Sequence, residues 1–108
     1  MALTIETLMS KMPGAFIPEK AAGLDAVIQF KFTGAEPGEW YAVIEDDKVA
    51  VEKGTHASPK MTLTADSADY VKIFTGELDG MQAFMGGKLK LAGDLNLAMK
   101  LTQMFKLK

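Results

Sequence analysis

The chain has 108 residues, 48% of them apolar and 24% charged, with a net charge of −2. That size and balance predict one globular domain over 1–108 with a single ordinary core. All twelve cations are Lys, and without Arg there is no bidentate reader of phosphates or bases, which argues against nucleic acid as a partner. Cys is absent too, so disulfides, thiolate metal sites and Cys nucleophiles are excluded. The first residues lack the basic start and apolar stretch of a secretory signal, and no stretch reaches the roughly 18 apolar residues of a membrane span. The expected location is the cytoplasm.

In chain order, Ile5, Leu8, Met9 and Met12 share one helical face, with Thr4 as cap and Pro13-Gly14 as the expected stop. Pro18 opens a short turn ending near Gly23. Residues 25–33 alternate: Ala26, Ile28, Phe30 and Phe32 on one side, Val27, Gln29, Lys31 and Thr33 on the other, as in a half-buried strand. A loop at 34–38 leads to a strand at 39–45 (Trp40, Ala42 and Ile44 inward). Asp46-Asp47 makes a tight turn into a strand at 48–53 (Val49 and Val51 inward). These three form an antiparallel meander. After a polar loop at 54–59, residues 60–65 read as a fourth strand with Met61 and Leu63 inward.

Asp66 then caps a helix whose stripe is Tyr70, Ile73 and Phe74, ended by Gly76. A short helix after Asp79 carries Met81, Phe84 and Met85 on one face and stops at Gly86-Gly87. Residues 88–92 form a fifth strand with Leu89 and Leu91 inward, and Asp94 caps a last helix running to about Phe105. The predicted fold is α+β: one five-stranded, mostly antiparallel sheet, covered by helices on one face and wet on the other.

The last helix carries the functional signal. Leu95, Leu97, Ala98, Met99, Leu101, Met104 and Phe105 spread over an arc of about 220°, where a core-capping stripe needs only about 100°. It must touch more than the sheet: neighbouring helices, an apolar ligand, a membrane or another subunit. Of the eight Met residues, Met81, Met85, Met99 and Met104 lie in the C-terminal third. Clustered Met beside Phe suits an adaptable apolar pocket, and equally a Met-rich core without a cavity.

The stretch from Ala83 to Leu101 resembles the sterol carrier protein type-two family. Ala83-Phe84, Gly87-Lys88-Leu89-Lys90, Gly93 and Leu97-Ala98-Met99-Lys100-Leu101 match its pattern. Thr62-Leu63-Thr64, the Asp66 cap and Phe74-Thr75-Gly76 are similar as well, and the likeness extends loosely over 16–106. The resemblance implies an apolar tunnel between sheet and helices. It implies non-catalytic binding, and transfer, of fatty acid, acyl-CoA, phospholipid or a sterol-like ligand. By it, Phe84, Leu97, Met99 and Leu101 become tunnel or helix-interface positions. Phe74, Leu78, Met81, Met85, Met104 and Phe105 join them as apolar candidates, and Gln82, Lys100 and Gln103 as candidates for a polar mouth. The chain departs from many eukaryotic members in ending Lys106-Leu107-Lys108, which is not a peroxisomal address, and in its short first helix. It looks like a stand-alone prokaryotic-type member.

No enzyme is expected. His56, the one His, lies in a polar loop without oriented partners at motif spacing and reads as solvated. Glu45-Asp46-Asp47 is turn chemistry, Lys88 and Lys90 are the wet side of a strand, and Gly86-Gly87 lacks phosphate-loop spacing. No metal or cofactor is expected. The partners expected are a lipid, a membrane in transient contact, and at most a weak homodimer. The rival function is a protein-interaction or dimerisation module using the apolar face of the last helix.

Overall fold

The computed structural model describes residues 4–94 together with Asn96, Leu97, Lys100 and Met104. Helix α1 spans Ile5–Ala15. Thr4 Oγ1 accepts the Thr7 N–H at 3.1 Å, and both Glu36 carboxylate oxygens accept the Ile5 N–H at 3.1 Å. These contacts satisfy N–H groups that the first turn of a helix leaves without partners. Its expected stripe, Ile5, Leu8, Met9 and Met12, is buried. The helix does not stop at Pro13-Gly14 but runs through both to Ala15. A proline this close to a C-terminus removes one backbone bond, and only the last turn bears the loss. A 3₁₀ turn at Pro18–Ala21 follows, as the Pro18 signal predicts.

The five strands are β1 (Ala26–Thr33), β2 (Gly38–Glu45), β3 (Lys48–Lys53), β4 (Met61–Asp66) and β5 (Leu89–Gly93). Their order across the sheet is β3-β2-β1-β4-β5. β1, β2 and β3 form the expected meander, and β4–β5 is also antiparallel. Asp46 and Asp47 take φ of 52° and 59°, the left-handed pair a two-residue hairpin turn requires. β1 and β4, at the centre, are parallel, with Ile28 opposite Met61 and Phe30 opposite Leu63.

Helices cover one face: α1 lies against β3, α2 (Ser67–Phe74) against β4, and α3 (Gly80–Met85) against β5. The inward residues Ile28, Phe30, Phe32, Ala42, Ile44, Met61 and Leu63 meet them in the core. The loop after β1 ties the layers together. Gly34, at φ +87°, lies where a Cβ would collide with the Asp66 carboxylate, and Ser67 Oγ accepts the Glu36 N–H at 3.1 Å.

The opposite face is not simply wet. β3 is an edge strand while β4 lies beside β1, so residues 54–60 must cross the sheet to connect them. Gln29 points to that side and is only 1% exposed. Its Nε2 donates to the carbonyls of Trp40 at 2.9 Å and Gly54 at 3.0 Å, and its Oε1 accepts the His56 N–H at 2.8 Å. His56 is therefore half-buried rather than a solvated loop residue. Its ring meets Tyr41 edge-on at 5.4 Å, and Nδ1 accepts the Ser58 N–H.

Candidate functional site

α2 positions the inner part of the site. Asp66 Oδ1 accepts the Ala68 N–H at 2.8 Å and fixes the start of the helix. Tyr70 and Ile73 then face the sheet and are buried, while Phe74 and Leu78 are half-buried against the core. The Tyr70 ring packs on Phe32 at 5.0 Å, Phe30 at 5.7 Å and Phe74 at 6.4 Å. Its hydroxyl donates to Met12 Sδ at 3.8 Å. Burial pushes the phenol well above its ordinary pKa, so it stays a neutral donor at any physiological pH.

α3 is the outer part. Asp79 Oδ1 accepts from Met81 N at 2.8 Å and Gln82 N at 3.2 Å, which starts the helix. Gly86 N and Gly87 N close it on the carbonyls of Gln82 and Phe84. Only Ala83 is buried; its small side chain lets α3 approach β5 closely. Met81, Phe84 and Met85 remain 52%, 39% and 79% exposed. They are the large apolar side chains left open among the described residues, and all three sit on this one helix.

The C-terminal helix begins at Asp94, whose Oδ1 accepts from Asn96 N at 3.0 Å and Leu97 N at 3.3 Å. Leu97 and Met104 are buried in the core, and the Met104 carbonyl accepts the Ile17 N–H at 2.6 Å. Met104 thereby lies against the segment after α1. Of the polar-mouth candidates, Gln82 and Lys100 are exposed. Met99, Leu101, Gln103 and Phe105 lie outside the described residues.

The structure thus sorts the candidates into three zones: Leu97 and Met104 inside the core, Phe74 and Leu78 at its margin, and the α3 trio at the surface. The sequence places Met12 and Tyr70 on apolar helical stripes but does not show that the Tyr70 hydroxyl meets Met12. The available signal was a Tyr on an otherwise apolar helical stripe, which buries a polar tip. Among the described residues no three His, Asp or Glu side chains gather as metal ligands. The buried polar residues among the described ones, Gln29, Ser67 and Tyr70, carry no charge.

The model of the SCP-2 sterol transfer family matches residues 7–106. The chain belongs to that family. Its five-stranded sheet with helices on one face is shared by sterol carrier protein 2 like 2 from Aedes aegypti. That crystal structure has a TM-score of 0.73 at 29% identity, over 94% of this chain and 92% of that one. The palmitated form of the same mosquito protein gives 0.75 at 28% identity, over 94% and 93%. A sec-alkylsulfatase from Pseudomonas sp. carries the fold as well, with a TM-score of 0.85 at 18% identity, over 97% of this chain but 17% of that one. Among curated proteins, hydroxysteroid dehydrogenase-like protein 2 of Xenopus laevis is 37% identical over 84 residues, 77% of this chain. The chain spans only 20% of that relative's length, so the SCP-2 family unit is the part they share.

Proposed function

We propose that this SCP-2 family chain is a non-catalytic lipid carrier that seats a long acyl chain between the sheet and the α3 and C-terminal helices. The observation that carries the proposal is the exposure of Met81, Phe84 and Met85 together on α3. Water-exposed Met and Phe side chains are stabilised by an apolar partner, and flexible Met adapts to chains of different shape. The palmitated mosquito relative supports a fatty acid as the ligand class.

The acyl chain enters beneath α3 and is lined by Phe74, Leu78, Leu97 and Met104, with Met99, Leu101 and Phe105 as further lining candidates. A charged head group stays at the surface near Gln82, Lys100 and Gln103, because the described core offers it no counter-charge. The exposed trio also gives α3 a transient hold on a membrane while cargo is exchanged. Residues 1–108 act as one unit in the cytoplasm, as a monomer or weak homodimer, without cofactor. Burying a sixteen-carbon chain at about 25 cal/mol per Å2 supplies on the order of 10 kcal/mol before entropy losses, enough for micromolar binding.

Native mass spectrometry of detergent-free protein, with lipid extraction of the same sample, tests the reading. A co-purified or added fatty acid should appear as a bound mass. A persistently empty protein after addition of palmitate and palmitoyl-CoA would count against it. Phe84→Asp, at a partly open position, should leave the fold intact and weaken palmitate binding by about tenfold or more.

A further inference from the structure

Tyr70 is the buried polar group that the fold serves least well. Gln29 reaches several backbone groups, and Ser67 accepts a backbone N–H. The Tyr70 hydroxyl, on a residue 5% exposed, has a thioether sulfur 3.8 Å away as its partner among the described residues. Thioether sulfur is a weak acceptor. A Phe would pack the same ring on Phe30, Phe32 and Phe74 with no hydroxyl to satisfy, so the hydroxyl adds little to packing.

The aromatic contacts run from the half-buried Phe74 inward through Tyr70 to Phe32 and Phe30. A ligand entering at the core margin would therefore reach Tyr70 next. Met12, opposite, is unbranched with several rotatable bonds, the kind of side chain that repacks around a changed neighbour. Whatever replaces its sulfur must be neutral. Among the described residues the buried polar side chains carry no charge, and an unpaired carboxylate here would cost far more than one hydrogen bond returns.

We propose that Tyr70 reads a neutral oxygen, a hydroxyl or ketone on an otherwise apolar lipid chain, by donating to it in place of Met12 Sδ. The proposal rests on the lipid-carrier reading and adds selectivity to it. The phenol would recover the desolvation cost of the ligand's oxygen, so the carrier prefers oxygenated chains over plain ones of equal length.

The test is displacement of a bound fluorescent fatty acid by stearate and by stearates bearing one hydroxyl or ketone at successive positions. In the unaltered protein at least one oxygenated stearate should compete better than stearate. Tyr70→Phe should lower that preference about three- to tenfold. Met12→Leu, which keeps the volume but removes the competing sulfur, should raise the preference. It gives a reading of opposite sign even if Tyr70→Phe folds poorly. Stearate binding that is intact, with a preference unmoved by Tyr70→Phe or by Met12→Leu, overturns the role of Tyr70 alone. Failure of every stearate to displace the probe overturns the carrier reading and this inference together.

Discussion

At the scale of single residues, two buried polar side chains give opposite lessons. Gln29 is saturated: it holds the Trp40 and Gly54 carbonyls and the His56 N–H. Gln29→Leu should strand all three beneath the crossover segment and cost roughly 3 kcal/mol, measured as a fall in the urea midpoint. Tyr70 is under-partnered, and its effect depends on pH. Burial raises its folded pKa above the ordinary value of 10.0, so its share of stability is complete below pH 10. Above that, the unfolded chain ionises while the folded one resists, and stability falls. Urea titrations at pH 8 and pH 11 should show wild type losing more stability than Tyr70→Phe, by about 1 kcal/mol, other titrations cancelling in the comparison. Neither role was legible beforehand. Period-two alternation puts Gln29 on the outer face but says nothing of a loop crossing over it, and a helical stripe places Tyr70 inward without revealing what its hydroxyl meets.

At the scale of elements, the sequence was most legible where one local signal decides. The alternation of Ala26 to Thr33, the Asp46-Asp47 turn, and the Asp66 and Asp94 caps all stand as read. The end of α1 lies two residues past Pro13, because a proline in a last turn merely removes one bond and does not stop the helix. For α3 the spacing shows that Met81, Phe84 and Met85 stand close together, but not whether that side meets protein or solvent. With six residues, α3 depends heavily on its cap. Asp79→Ala should weaken it by about 1 kcal/mol. Amide exchange at Met81 and Gln82 should accelerate while the global unfolding midpoint hardly moves. A large global shift would mean that α3 is part of the cooperative core.

At the scale of the whole molecule, the two layers follow from patterning, since every strand offers one apolar face and the helices offer stripes to meet it. Strand order does not. The stretch 54–60 is compatible either with a return beside β3 or with the observed passage to β4, and only the completed sheet decides between them. That passage makes β1 and β4, some 33 positions apart, the central parallel pair. On a ribosome the meander can assemble as soon as residue 53 has emerged. The other edge of β1, carrying Ile28, Phe30 and Phe32, then waits for β4. At about 5–20 residues per second the wait from residue 53 to residue 66 lasts roughly one to three seconds. During it the nascent chain presents an apolar strand with an open edge, the feature that invites aggregation. A pause in translation within residues 54–60 would prolong that exposure, so synonymous codon changes there should alter soluble yield without altering the protein.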